Sequence, residues 1–153
     1  MNTEVSNTYT TEVLFLSNMG LTELPHDIHL YTNLQALYCG NNQLTSLVDN
    51  LPASLSYLDC ANNQLTSLDN LPASLSYLNC CNNQLTSLVN LPTSSLFYLD
   101  CTGNQLTCLE NLPTTLQYFY CYNNPLVYEF EPTLRNIREY NKQNIHTFRY
   151  VLK

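Results

Sequence analysis

Five cysteines return at a nearly fixed interval. Cys39, Cys60, Cys80, Cys101 and Cys121 are 21, 20, 21 and 20 residues apart. Three residues after each stands an asparagine: Asn42, Asn63, Asn83, Asn104 and Asn124. Two residues before each stands Leu37, Leu58, Leu78, Leu99 or Phe119, and two after each asparagine stands Leu44, Leu65, Leu85, Leu106 or Leu126. The unit reads L-x-x-L-x-C-x-x-N-x-L-T-S-L-x-N-L-P-x-S, with one residue inserted in alternate copies. Self-similarity at this period means stacked supersecondary units, because one such unit cannot bury its apolar face alone. With 153 residues the chain makes one domain.

The alternation within the unit sets its local structure. In "YLDCA", Leu58 and Cys60 face inward while Tyr57, Asp59 and Ala61 face outward. Each turn therefore contributes one short strand, near 13–17, 36–40, 57–61, 77–81, 98–102 and 118–122. The return "LTSLDNLPASL" is too short and too marked by proline for a regular helix, which leaves extended or 3₁₀ backbone on the far side. The longer first return, "LPHDIHLYTNL", has room for a short helix. Each asparagine is expected inside, its amide bonded to backbone of its own and the adjacent turn, since a buried polar group needs partners. In the first turn Leu14 and Leu16 fill the strand slots, Leu21 and Leu24 follow, and Met19 takes the asparagine slot. In the last, Pro125 replaces the glutamine and Glu129 falls where a leucine is due, so Tyr128 or Phe130 turns in instead. Terminal turns must cover an open core. Residues 1–12 are expected to start an N-terminal cap, 13–126 to form about six turns, and 127–153 to form a degenerate turn and C-terminal cap of helix or strand.

This wording resembles the leucine-rich repeat, in its short class of 20–21 residues, with cysteine in the last apolar slot of the strand. It is similar to repeats of secreted effectors of enteric bacteria, and "C-x-N-N-Q-L-T-S-L-x-N-L-P" is similar to leucine-rich repeat proteins of giant DNA viruses of amoebae. The resemblance covers about residues 11–126. It implies a mostly β solenoid of the α/β-solenoid class, with a parallel sheet on its concave face and a host protein as partner. Bacterial relatives join such repeats to a ubiquitin-ligase domain. The 27 residues after the last clear repeat are too few for one.

Cysteines in register on adjacent strands form a line with a pitch of about 4.8 Å. A disulfide needs Cβ atoms about 3.8 Å apart and turned together. A zinc site needs four ligands around one point. A straight ladder serves neither, so Cys39, Cys60, Cys80, Cys101 and Cys121 are expected to be slim core residues. Buried thiols suit a reducing, intracellular compartment. Cys81 is expected to face outward, and Cys108 replaces the serine of "LTSL". Neither has a histidine partner in the pattern. His26, His29 and His146 lie outside the clear repeats, the first two on the first convex turn. The sequence contains no phosphate loop, hydrolase elbow or paired metal ligands. No catalytic residue, metal or cofactor is expected.

Charge is divided along the chain. Residues 1–134 hold eleven acidic side chains and no lysine or arginine. The last nineteen hold Arg135, Arg138, Lys142, Arg149, Lys153 and Glu139, so a body of −11 and a tail of +4 give the net −7. Duplication of a basic-free unit accounts for this, as does avoidance of lysine as a ubiquitin acceptor. An acidic body repels nucleic acid. No apolar run reaches the length of a membrane span, the start lacks the features of a secretory signal, and no Asn-x-Ser/Thr acceptor occurs.

Outward strand positions form three columns. The first is Ala36, Tyr57, Tyr77, Tyr98 and Tyr118; the second is Tyr38, Asp59, Asn79, Asp100 and Tyr120; the third is Gly40, Ala61, Cys81, Thr102 and Tyr122. Tyrosine offers a large contact area with few torsions to freeze, and the aspartates favour a basic or amide-rich partner. Stacked tyrosines also simply cover a sheet. The leading expectation is a non-catalytic protein-interaction module that uses these columns, present as a monomer or a weak self-associating species. The alternative is a structural, self-assembling repeat in which acidic body meets basic tail.

Overall fold

Six parallel strands stack in chain order, β1 (Val13–Phe15), β2 (Ala36–Tyr38), β3 (Tyr57–Asp59), β4 (Tyr77–Asn79), β5 (Tyr98–Asp100) and β6 (Tyr118–Tyr120). The register joins equivalent positions of successive turns, as in Leu37 to Leu58, Leu58 to Leu78 and Leu78 to Leu99. A computed structural model describes residues 9–148, and side chains as far as residue 143. The first eight residues of the expected N-terminal cap, and Arg149 and Lys153 of the basic tail, lie outside the described residues, as does the side chain of His146. The architecture is a mostly β leucine-rich repeat solenoid with one C-terminal helix, α1 (Leu134–Phe148).

The strands are three residues long, shorter than the five-residue spans expected from the alternation. Backbone bonding between turns nevertheless runs further. Cys39 N donates to Asp59 O at 2.8 Å and Asn41 N to Ala61 O at 2.9 Å. Three residues after each strand the backbone turns left-handed: Asn41, Asn62, Asn82 and Asn123 have φ of 55°, 55°, 53° and 54°. Asparagine tolerates this region better than other side chains. In the fifth turn Gly103 takes the role at φ 69°, where a Cβ would lie 2.3 Å from Asn82 Oδ1.

Inside the coil the leucines of every turn merge into one core, with Leu37, Leu58, Leu78 and Leu99 fully buried beside Cys39, Cys60, Cys80 and Cys101. The interior asparagines tie the turns together. Asn83 Oδ1 accepts from Leu65 N at 2.9 Å, while its Nδ2 donates to Cys60 O and Cys80 O, both at 3.1 Å. Asn63 and Asn104 repeat this pattern. Asn42 opens the ladder by accepting from Met19 N and Leu21 N, and Asn124 closes it with Leu106 N. Met19 itself is exposed. A second ladder runs along the returns. Ser74 Oγ donates to Ala53 O and Leu55 O, and Ser95 Oγ to Ala73 O and Leu75 O; Ser54 and Thr115 make matching bonds. The inserted Ser94 falls just before this position, so the ladder keeps its place.

The first return holds a 3₁₀ turn, Ile28–Leu30; Ile28 is buried while His26 and His29 are exposed. At the other end, Tyr128 and Phe130 both turn toward the core and stack on each other with centroids 4.8 Å apart. The tail is helix, not strand, as far as it is described. Thr133 Oγ1 accepts from Asn136 N at its start, as an N-cap does. Ile137 is buried, and Arg138 Nη2 donates to Pro113 O, Thr114 O and Leu116 O, which closes carbonyls left open by the last turn.

Replacing Asn83 by alanine leaves Leu65 N and two strand-end carbonyls without their buried partner. Urea denaturation is expected to show a loss of about 3 kcal/mol for Asn83→Ala, against little change for the exposed Gln84→Ala.

Candidate functional site

The register places the expected surface columns on one face. Tyr57, Tyr77, Tyr98 and Tyr118 are direct neighbours across β3 to β6, as are Asp59, Asn79, Asp100 and Tyr120. Tyr38 precedes Asp59 in the second column. The rings form a continuous row that does not keep to one column. Phe15 stacks on Tyr38 at 4.9 Å, Tyr38 meets Tyr57 at 4.9 Å, and Tyr57, Tyr77 and Tyr98 stack almost face to face at 4.1 and 4.2 Å. Tyr98 then meets Tyr120 at 5.7 Å and Tyr118 at 6.4 Å. Phe97 adds an edge contact to Tyr118. The row thus leaves the second column at Tyr38 and returns to it at Tyr120. Between them it passes beside Asp59, Asn79 and Asp100. Phe15 and Phe97 belong to this surface and were not singled out from the sequence, although Phe15 occupies the second-column slot of β1.

The third column does not form an outer surface throughout. Gly40 and Ala61 are buried and Cys81 is half-buried, whereas Tyr122 is exposed. The cause is the turn after the strand. Asp59 Oδ1 accepts from Ala61 N at 3.1 Å, Asn79 Oδ1 from Cys81 N at 3.2 Å and Asp100 Oδ1 from Thr102 N at 2.9 Å, which folds the chain over these residues. A Cβ on Gly40 would sit 3.1 Å from Ala61 O and 3.5 Å from Asp59 Oδ1, so glycine keeps the flank of Asp59 clear.

Burial is the main cause of the raised tyrosines and thiols here. It pushes the Tyr77 phenol up to about 12 and raises Tyr57 and Tyr98, with neighbouring hydroxyls and Asp59 or Asp100 contributing. The Cys81 thiol is raised by burial, then by Asp100 and Asp59, whose fields converge on it. That is the opposite of thiol activation. In the ladder, burial holds Cys60, Cys80 and Cys101 well above the ordinary thiol range, Cys39 at about 12 and Cys121 at about 11. All seven cysteines are free. The ladder thiols are not mere filler. Cys60 Sγ donates to Asn79 O at 3.4 Å, Cys80 Sγ to Asp100 O and Cys101 Sγ to Tyr120 O, both at 3.2 Å. Each of these carbonyls also accepts the same cysteine's backbone N–H.

A cleft of about 490 Å³ lies elsewhere, on the first three returns, lined by Glu23, His26, His29, Asp49 and Asp69 among others. His26 approaches Glu23 at 3.6 Å with both exposed, and among the described residues no three potential ligands converge on a metal position. The lining of this hollow is acidic and without a metal geometry among the described residues, whereas the aromatic sheet face is an organised array. No described helix is long and apolar enough to cross a membrane.

Two outcomes follow from the thiols. Native protein treated with an aromatic disulfide reagent is expected to release Cys108 rapidly and Cys81 slowly, and to yield all seven thiols only in urea. Stability is expected to fall as pH rises above about 9. There the unfolded thiols ionise while the folded ones, at about 11 and 12 or higher, stay protonated. Each such thiol costs about 1.4 kcal/mol per pH unit within that window. Urea midpoints between pH 7 and 10.5 measure the effect.

A family model described as leucine-rich repeats (2 copies) matches residues 32–73. No curated protein matches the chain. Among solved structures, the leucine-rich effector YopM of Yersinia pestis is 39% identical, with a TM-score of 0.71 over 82% of this chain and 34% of its own. The leucine-rich repeat domain of a Shigella effector is 31% identical, with a TM-score of 0.71 over 82% of this chain and 54% of its own. The functional domain of InlJ from Listeria monocytogenes, which includes a cysteine ladder, is 28% identical, with a TM-score of 0.54 over 80% of this chain and 34% of its own. The chain thus spans between about a third and about half of these proteins. The chain carries a leucine-rich repeat match over residues 32–73, and the asparagine ladder and one-strand turns in register give it a leucine-rich repeat fold, similar in structure and sequence to the repeats of bacterial effectors.

Proposed function

We propose that the protein is a non-catalytic interaction module that binds one protein partner on the sheet face formed by Tyr38, Tyr57, Asp59, Tyr77, Asn79, Tyr98, Asp100, Tyr118, Tyr120 and Tyr122. The observation that carries this reading is the unbroken row of rings from Phe15 to Tyr120, bordered by carboxylates. A row of this size, with Tyr118, Tyr120 and Tyr122 exposed at one end, gives a rigid contact area at little entropic cost. The effector likenesses favour a host-cell protein as that partner, by analogy of fold. The neutral thiols suit a reducing compartment, and the acidic body disfavours nucleic acid as partner.

Affinity capture from a eukaryotic cell lysate tests the reading. Wild type is expected to retain a protein that Tyr57→Ala/Tyr98→Ala/Asp100→Ala loses while its far-ultraviolet circular dichroism stays unchanged. A triple change in the opposite hollow, His26→Ala/Asp49→Ala/Asp69→Ala, is expected to retain it. Capture that survives the first variant and fails in the second moves the site to the hollow and sinks the sheet-face reading.

A further inference from the structure

The second column reads Tyr38, Asp59, Asn79, Asp100, Tyr120, which is symmetric about Asn79. Each aspartate lies one strand from a tyrosine of its own column, and Asn79 separates the two. The aromatic row borders this strip, and the small residues Ala61, Cys81 and Thr102 lie on its other side. Each aspartate uses Oδ1 to accept a backbone N–H of its own turn, which fixes the carboxylate. No lysine or arginine occurs in residues 1–134, and neither carboxylate forms an ion pair among the described residues. Among the basic side chains of the tail, Arg138 is engaged with carbonyls and Arg135 with Glu139. Two fixed anionic positions are therefore left without a cation from their own turns, each beside an aromatic ring that thins the water around it.

The spacing between them is set by the fold. Two strand intervals are about 9.6 Å. A polyproline-type peptide has three residues per turn and a rise of about 3.1 Å, so side chains three residues apart emerge on one side about 9.3 Å apart. It also leaves every carbonyl free, and a bordering row of phenol hydroxyls suits those carbonyls. Aromatic-lined surfaces favour such preformed segments. We propose that Asp59 and Asp100 are paired cation positions that take two arginines, three residues apart, from an extended proline-rich segment of the partner. This rests on the sheet-face reading and gives the partner its chemistry. Arginine fits better than lysine, because its planar fork pairs with a carboxylate while lying against a ring.

Fluorescence anisotropy with three labelled proline-rich decapeptides and the full chain tests it. One peptide carries two arginines three residues apart, one carries the same two adjacent, and one carries glutamine at both positions. The spaced peptide is expected to bind wild type about tenfold or more tightly than the other two, and to weaken as salt rises. Asp59→Asn/Asp100→Asn keeps the acceptor oxygen for Ala61 N and Thr102 N, so the fold holds, and is expected to lose about tenfold or more of that affinity. Equal binding of the three peptides, equal binding by the double variant, or no peptide binding to wild type overturns the inference. If the double variant still captures a cellular protein that Tyr57→Ala/Tyr98→Ala loses, the sheet face remains the binding surface and the cation positions do not.

Discussion

A turn of about twenty residues has no interior of its own, so everything in this molecule depends on how firmly one turn is tied to the next. The tie is the side-chain amide of the interior asparagine. Asn63 takes Leu44 N and Cys39 O from the turn before it and Cys60 O from its own, which fixes both the spacing and the register of the two turns. A backbone group buried without such a partner costs free energy comparable to a lost hydrogen bond, so a turn that slipped along its neighbour would lose several bonds at once. The surface inherits that spacing. Tyr57, Tyr77 and Tyr98 stack with interplanar angles of 7° and 8° because their strands are held in register at nearly the thickness of a ring. The rings stand slightly closer, at 4.1 and 4.2 Å, than the usual strand spacing of about 4.8 Å.

The cysteine slot follows from the same geometry. The residue at this slot must be short, because the carbonyl of the preceding residue in the next strand lies directly before it. It must also be apolar enough for full burial beside leucine. A thiol meets both demands and adds a weak donor to the carbonyl that its own N–H already uses, as Cys80 does with Asp100 O. Burial raises all five thiols, which keeps them in the protonated form at neutral pH. Under the proposed function, specificity lies in the side chains that the ladder positions on the sheet face.

The inward slots were legible in the sequence because a fixed period reports them directly: the residues at Cys60, Asn63 and Leu65 recur in every clear turn, and that at Leu58 in all but the last, which carries Phe119. The alternation gave three outward columns; the register aligns the first two, whereas the third is buried at Gly40 and Ala61. Other features were written in the chain but went unread. The asparagine before each interior asparagine is exchanged only for Gly103 among the clear turns, which is the mark of a left-handed position. The hydroxyl of Ser54, Ser74, Ser95 or Thr115 always directly precedes a buried leucine. The C-terminal helix was less legible for a different reason. Arg138 acts through carbonyls more than twenty residues earlier in the chain, and such a contact leaves no local pattern.

Variation among the copies separates scaffold from surface. At the interior asparagine the five clear turns carry the same residue, and at the leucine slot before the cysteine only Phe119 departs. At the second column the same five turns carry Tyr38, Asp59, Asn79, Asp100 and Tyr120, a change of chemistry at every step. Duplication alone copies a column; it does not alternate it. A side chain at this position touches the core little, and Asp59, Asn79 and Asp100 make the same local turn with the same acceptor oxygen. The fold therefore tolerates asparagine or aspartate there equally, and stability does not dictate which one stands in which turn. Under the proposed function the remaining choice, charge or amide, is made by what lies against the sheet. The order aspartate, asparagine, aspartate then places two charges at two strand spacings and leaves the middle neutral, which avoids the repulsion that three adjacent carboxylates would build into one strip.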